Sequence, residues 1–363
     1  MMPIDASAKP NTKSPNPESN AAANPHSSWT EQRIGFMLPH EQFPVPELVT
    51  LGEACEQAGF DFAATSDHFQ PWQDNEAHSG LAWVTMSALG ARTKSLIMGT
   101  TVTCPSYRYN PGVVAEAFAS LSLLYPGRIF LGVGSGEALN EEAATGAFGP
   151  WGERSERLIE ATGLIRDLWN GDQVVHKGKH FNVNARLYDR PQMPLPILMA
   201  ANGPKAMRRA GQYGDGLVTD PKTWKEHRSE FEEGLQLAGK RTGQVPILVE
   251  SFVVVGDKKE AERPAQLWRF IPKAWNPYYE VRDPKTIRER AEKEVPMETI
   301  FSAWTISADP EPHIKGVQEL FDSGVTMVNI HTGQDDQKKV IEFYGERVIP
   351  KITKSKSAAA SRT

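Results

Sequence analysis

Cysteine is nearly absent: Cys55 and Cys104 are the only two in 363 residues, which excludes a disulfide framework. Both sit in apolar surroundings and read as small buried hydrophobes. No apolar run approaches the roughly 18 residues a bilayer span requires. A basic excess is missing too: 40 Lys and Arg stand against 45 Asp and Glu, a net charge of −5. Nucleic acid is therefore not an expected partner. The zinc signature H-E-x-x-H and paired cysteines do not occur, so no metal site is expected. Gly134-Ser135-Gly136 lacks the G-x-S-x-G turn of a serine nucleophile. No G-x-G-x-x-G turn follows an early strand, which argues against a doubly wound dinucleotide-binding sheet.

What is present suits a soluble globular core, with 39% hydrophobic and 23% charged residues. Met1–Ser28 is crowded with Pro, Asn, Ser and Ala and has no apolar segment of the secretory kind. Such a stretch buries too little apolar area to offset its ordering entropy. Residues 1–31 and 353–363 are accordingly expected to be disordered tails, 32–352 a single catalytic domain, and the cytoplasm the compartment.

Within that domain, short apolar or β-branched runs alternate with amphipathic segments. The strand candidates are Arg33–Leu38, Phe62–Thr65, Ser95–Thr103, Arg128–Val133, Leu195–Ala200, Gly216–Thr219, Val245–Val255 and Thr326–Ile330. Helical periodicity falls on Pro46–Ala58, Leu81–Ala91, Pro111–Leu124, Glu153–Trp169, Lys205–Gln212, Lys225–Ala238 and Gln337–Tyr344. Eight strands in alternation with helices predict an α/β fold of the (β/α)₈ (TIM) barrel type. Two stretches break the rhythm: Asp172–Arg190 reads as an inserted hairpin, and Pro264–Ala308 as an insertion rich in Trp, Pro and charge.

Chemistry in such a barrel gathers where the strands finish. There the sequence places His40-Glu41, Ser66-Asp67-His68, Thr101-Val102-Thr103-Cys104, Gly134-Ser135-Gly136-Glu137 and Ala200-Ala201-Asn202-Gly203. Titratable, glycine and amide groups thus crowd one predicted rim.

Three strings, Ser66–Trp72 (SDHFQPW), Leu131–Glu141 (LGVGSGEALNE) and Ala200–Pro204 (AANGP), resemble the luciferase-like hydride-transferase family. More narrowly, they resemble its branch using coenzyme F420, an 8-hydroxy-5-deazaflavin, which includes sugar-6-phosphate and hydroxymycolic acid dehydrogenases. The resemblance implies an alcohol dehydrogenase with His68 as general base, Trp72 as donor to the substrate oxygen, Glu137 as the acid near the coenzyme ring and Glu41 as a further active-site carboxylate. It places the deazaflavin against Asp67, Thr101, Val102, Cys104, Gly134, Ser135, Gly136, Asn140, Ala200, Ala201, Asn202 and Gly203, with a cis peptide at Thr101-Val102. The substrate would meet Thr219, Lys222, Tyr278 and Trp304.

The sugar-phosphate members hold their phosphate with basic side chains from three places. Lys222 matches the first, but Tyr278 and Ala303 stand at the other two, with Lys273 and Arg282 as possible spatial substitutes. An unphosphorylated sugar, secondary alcohol or lipid hydroxyl is expected. The alternatives are a sugar-6-phosphate dehydrogenase, an FMN-dependent monooxygenase on the same barrel, and a non-catalytic deazaflavin carrier. Relatives of this type imply a homodimer.

Overall fold

A computed structural model describes residues 27–75 and 78–354. Eight parallel strands close on themselves: β1 (Arg33–Leu38), β2 (Phe62–Thr65), β3 (Ile97–Thr100), β4 (Ile129–Val133), β5 (Ile197–Ala200), β6 (Gly216–Thr219), β7 (Ile247–Val254) and β8 (Met327–His331). Each pairs with the next in sequence, and β8 returns to β1 with Arg33 opposite Met327. This is the expected (β/α)₈ barrel. Its strands are buried on both faces, which is why they read as nearly continuous apolar runs.

Alternation along the strands divides the core. Ile34, Phe36, Leu131 and Val328 face outward to the helices. Met37, Phe62, Phe130, Leu198, Leu248 and Met327 face inward and fill the barrel. The large rings fit because glycine stands opposite them. A Cβ on Gly35 would lie 2.2 Å from the Phe62 ring, and one on Gly99 would lie 2.4 Å from Phe130.

The helices begin where the sequence puts caps. Asn110 accepts from Gly112 N–H at 2.8 Å ahead of Pro111–Leu124. The expected hairpin is present as Val174–Lys177 against Asn182–Ala185. The second insertion folds into Lys258–Leu267, Pro284–Glu294 and Met297–Ala303, around a satellite core shared with Trp72 and Leu139.

The expected N-terminal tail needs one correction. Ser27–Thr30 forms a 3₁₀ turn, and Trp29 is buried with its ring edge-on to Phe130 at 6.2 Å. The apolar gain of sealing the barrel floor with an indole outweighs the polar composition around it. Thr353 and Lys354 are also placed, with Lys354 Nζ 2.7 Å from Asp61. The rest of both expected tails lies outside the described residues. Among the described residues, no helix is long and apolar enough to cross a membrane.

Candidate active site

The loops after β1, β2 and β4 bring three sequence candidates together around His68. Glu41 is buried, and its Oε2 accepts the Ser66 hydroxyl at 2.6 Å. Its Oε1 lies 3.4 Å from His68 Nε2. On the other side of the ring, His68 Nδ1 lies 3.1 Å from Asn140 Nδ2 and 3.2 Å from the Gln70 carbonyl. Asn140 is oriented from behind, because its Oδ1 accepts the Phe69 and Gln70 N–H groups at 2.8 and 3.2 Å. Its amide also donates to Glu137 Oε2 at 3.1 Å. Asn140, expected against the coenzyme, is thus the strut that joins His68 to Glu137.

Trp72 is tilted beside His68 with ring centroids 5.9 Å apart. Stacking on Phe270 at 4.7 Å fixes the indole plane.

A cavity of about 400 Å³ opens next to this cluster. Val102, Gly134, Ser135, Gly136, Ala200, Ala201, Asn202 and Gly203 line it, all of them expected coenzyme contacts, together with Glu137, the expected acid near the coenzyme ring. The Thr101-Val102 peptide is cis, as expected. The glycines are dictated by space: a Cβ on Gly134 would lie 2.5 Å from Val102 Cγ2, and Gly136 has φ +79°.

Six further lining residues carry no motif: Trp151, Arg154, Lys205, Ala206, Trp275 and Tyr279. Arg154 donates to the Gly136 carbonyl at 2.9 Å, and its guanidinium lies 4.8 Å from the Tyr279 ring centroid. In the amide orientation that satisfies both neighbours, Asn202 accepts Trp275 Nε1 at 3.1 Å and donates to the Ala201 carbonyl. Lys205 stands in the first turn of Pro204–Tyr213, where free N–H groups and the helix dipole favour an anion. Flat apolar walls leading to a cationic end fit a tricyclic ring with an anionic tail.

Several expected contacts are placed elsewhere. The Asp67 carboxylate is buried and accepts from Thr103 at 2.6 Å, Arg108 at 2.9 Å and Tyr109 at 3.1 Å, so it anchors the loop instead of facing the cavity. Cys104 packs behind Gly136 beside Ser106, and burial pushes its thiol well up from the ordinary range. Thr101 directs its hydroxyl to Met37 Sδ at 3.5 Å.

On the substrate side, the Thr219 hydroxyl is engaged by the Ala201 carbonyl at 2.7 Å. Tyr278 is corrected from a substrate contact to a core residue: it is fully buried and bonds Glu294 at 3.1 Å. Trp304 is buried against Phe252, ring to ring at 5.1 Å, and backs the mouth without facing it. Lys222 stands exposed at the start of Pro221–Leu237.

Arg108 clamps the assembly. Its guanidinium donates to the Asp67 carbonyl and carboxylate, both at 2.9 Å, while its backbone N–H donates to Glu141 at 2.7 Å. Glu141 opens the short helix Glu141–Thr145 and is buried. That burial raises its carboxyl to about 7, and nearby Glu137 and Asp67 add to the rise against the opposing pull of Arg108.

Residues 26–327 match the family described as luciferase-like monooxygenase, and the chain belongs to that family. Two similar relatives are dehydrogenases. The F420-dependent hydroxymycolic acid dehydrogenase of Mycobacterium tuberculosis is 44% identical over 323 residues, 88% of each chain. An F420-dependent glucose-6-phosphate dehydrogenase of Nakamurella multipartita is 36% identical over 88% of this chain and 96% of its own. Among solved structures, an F420-dependent secondary alcohol dehydrogenase with an F420-acetone adduct superposes with a TM-score of 0.83. It is 32% identical, covering 88% of this chain and 98% of that one.

Proposed function

We propose that this chain is a coenzyme F420-dependent dehydrogenase that oxidises an unphosphorylated alcohol to the carbonyl compound. The observation that carries the reading is His68, held between Glu41 and the Asn140–Glu137 pair beside a cavity fit for a tricyclic ring. The F420-dependent relatives and the alcohol dehydrogenase structure support the same coenzyme. A bound deazaflavin supplies a carbon that accepts hydride and reacts poorly with oxygen.

The protein's own residues manage the proton. As hydride leaves the carbinol carbon, the hydroxyl proton passes to His68 Nε2, the carbonyl forms, and the Glu41 carboxylate stabilises the imidazolium. The base-competent ring carries its resting proton on Nδ1, which faces the Gln70 carbonyl at 3.2 Å. Trp72 donates its indole N–H to the oxygen as negative charge builds there. Glu137, oriented by Asn140, acts on the coenzyme side of the cavity.

The substrate class follows from charge. Of the two spatial substitutes for missing phosphate ligands, Lys273 is engaged by Glu294 at 2.9 Å and Arg282 stands exposed on the surface. Tyr278 is buried and Ala303 carries no charge, so little remains to grip a dianion.

The test is a titration with oxidised F420 and with FMN, following ring fluorescence, then a panel of glucose 6-phosphate, glucose and secondary alcohols. Binding and reduction of the deazaflavin by an uncharged alcohol are expected. Turnover of reduced FMN with oxygen, without deazaflavin binding, would refute the reading. Clear preference for the phosphate ester would refute the substrate class alone.

A further inference from the structure

The barrel interior is apolar except along one side. Alternation on β7 turns Leu248, Glu250 and Phe252 inward, and on β8 it turns Met327, Asn329 and His331 inward. Leu248 and Met327 belong to the closed floor. Above them, the register sets Asn329 beside Glu250 and His331 beside Phe252. The Glu250 side chain is 23% exposed. Since the floor beneath is sealed, that exposed surface opens to the rim where His68 stands.

The donors and acceptors of this group are unbalanced. His331 Nδ1 lies 2.8 Å from Glu250 Oε1 and donates to it, since a carboxylate can only accept. The ring is held by stacking on Phe252 at 4.1 Å and by the Trp268 edge at 4.3 Å. In the neutral ring Nε2 is then an acceptor, and it is buried with no hydrogen-bond partner among the described residues. Asn329 turns its Nδ2 to Met37 Sδ at 3.6 Å, so its buried Oδ1 also has no partner there. The second Glu250 oxygen adds a third acceptor. Buried acceptors without donors destabilise a fold unless something arrives to donate.

We propose that Glu250, Asn329 and His331 form a hydroxyl-binding subsite that receives a second, non-reacting hydroxyl of an uncharged diol or polyol. The proposal rests on the dehydrogenase reading and narrows its substrate class. A hydroxyl brings the O–H donor that the three acceptors lack. A phosphate or carboxylate brings further acceptors and meets the charge of Glu250, so the subsite selects for neutral substrates as well as for a second hydroxyl. Glu250 and Asn329 bind substrate here; His331 also positions Glu250.

The test uses the full chain loaded with oxidised F420 and two probes that differ by one hydroxyl, 2-butanol and 2,3-butanediol. Their binding is read from the fluorescence of the bound deazaflavin, and their oxidation from its bleaching. The wild type is expected to bind the diol more tightly. Glu250→Gln keeps an oxygen for His331 but replaces an acceptor with an amide donor, and should cut the diol-to-monool affinity ratio tenfold or more. Asn329→Leu should cut it in the same direction. Coenzyme titration of each variant reads folding independently. Equal binding of the two alcohols by the wild type, or a ratio unmoved in both folded variants, would overturn the subsite. Diol binding that follows the expected ratios without any bleaching would instead overturn the dehydrogenase reading.

Discussion

Asn140 Nδ2 lies 3.1 Å from His68 Nδ1 and donates to Glu137 Oε2, also at 3.1 Å. A neutral imidazole has one bare nitrogen, so Nδ1 either receives Asn140 or donates to Gln70, never both. Taking the substrate proton makes both nitrogens donors, and the partner of Nδ1 must then be the Gln70 carbonyl. Asn140 therefore favours the tautomer whose proton sits on Nε2, and the Gln70 carbonyl favours the base-competent one. Asn140→Asp keeps an oxygen for the Phe69 and Gln70 N–H groups but replaces the opposing donor with a carboxylate. The base-competent tautomer should then predominate, with its Nδ1 proton shared with the new carboxylate, which the imidazole nitrogen NMR shifts read directly. A ring protonated on Nε2 in the variant would show that this contact does not select the tautomer.

His68→Ala removes the base but none of the cavity wall. Turnover should fall about 10²-fold or more while the deazaflavin affinity stays nearly constant. Stopped-flow bleaching and a fluorescence titration measure the two separately. An unchanged rate would remove His68 from the chemistry.

Trp29 closes the floor of the barrel beneath Phe130, at the opposite end from this chemistry. Deleting residues 1–26 should leave thermal stability unchanged. Deleting 1–31, or making Trp29→Ala, should cost about 3–5 kcal/mol, as for a buried aromatic lost from a packed core. Differential scanning calorimetry on the three forms decides it, and equal melting temperatures would mean the indole is dispensable.

What could be read in advance divides along physical lines. The eight strands were legible because a parallel barrel buries both faces of each strand, so 62–65 or 197–200 stands out as an uninterrupted apolar run. Helices Lys258–Leu267 and Pro310–Asp322 were not legible as helices. They carry much charge, and Pro264 sits inside the first; Asp257 with Glu260 and Asp309 supply the caps that start them. His68 and Glu137 were legible as candidates because each follows a strand within a recognisable string, and Glu41 because it stands just past Arg33–Leu38. Arg108, Arg154 and the Glu250–His331 pair were not. They act through contacts between loops and neighbouring strands that leave no spacing in the chain. Trp29 was obscured by its composition, and Glu141 by standing beside a second glutamate.

Glu141 makes stability depend on pH in an unusual sense for a carboxylate. Burial raises its folded value from 4.5 to about 7, so between those values the folded chain keeps a proton that the unfolded chain has released. Its contribution is fully present below 4.5 and is lost as pH rises through about 7. Glu141→Gln carries no such dependence. The variant's melting temperature, relative to wild type, should climb by several degrees between about pH 5 and about pH 8. A constant difference across that range would mean the carboxyl is ionised throughout.

His40 works in the opposite direction. It is fully buried beside Thr85, with Nε2 2.8 Å from the hydroxyl, and burial lowers it from 6.5 to about 4 against the pull of Glu41 and Asp67. Below 6.5 the unfolded chain gains a proton that the folded chain refuses, so stability falls as pH drops toward about 4. His40→Gln retains a polar end near Thr85 and cannot titrate. It should be less stable than wild type near neutrality, because the imidazole packing is lost, yet lose less stability on acidification. Urea unfolding at a series of pH values measures both slopes. Because His40 N–H donates to Ser66 Oγ, which in turn donates to Glu41, the same variant should leave the Glu41 carboxylate in place and lower turnover only modestly. Parallel acid slopes for the two proteins would show that His40 is not the group that titrates.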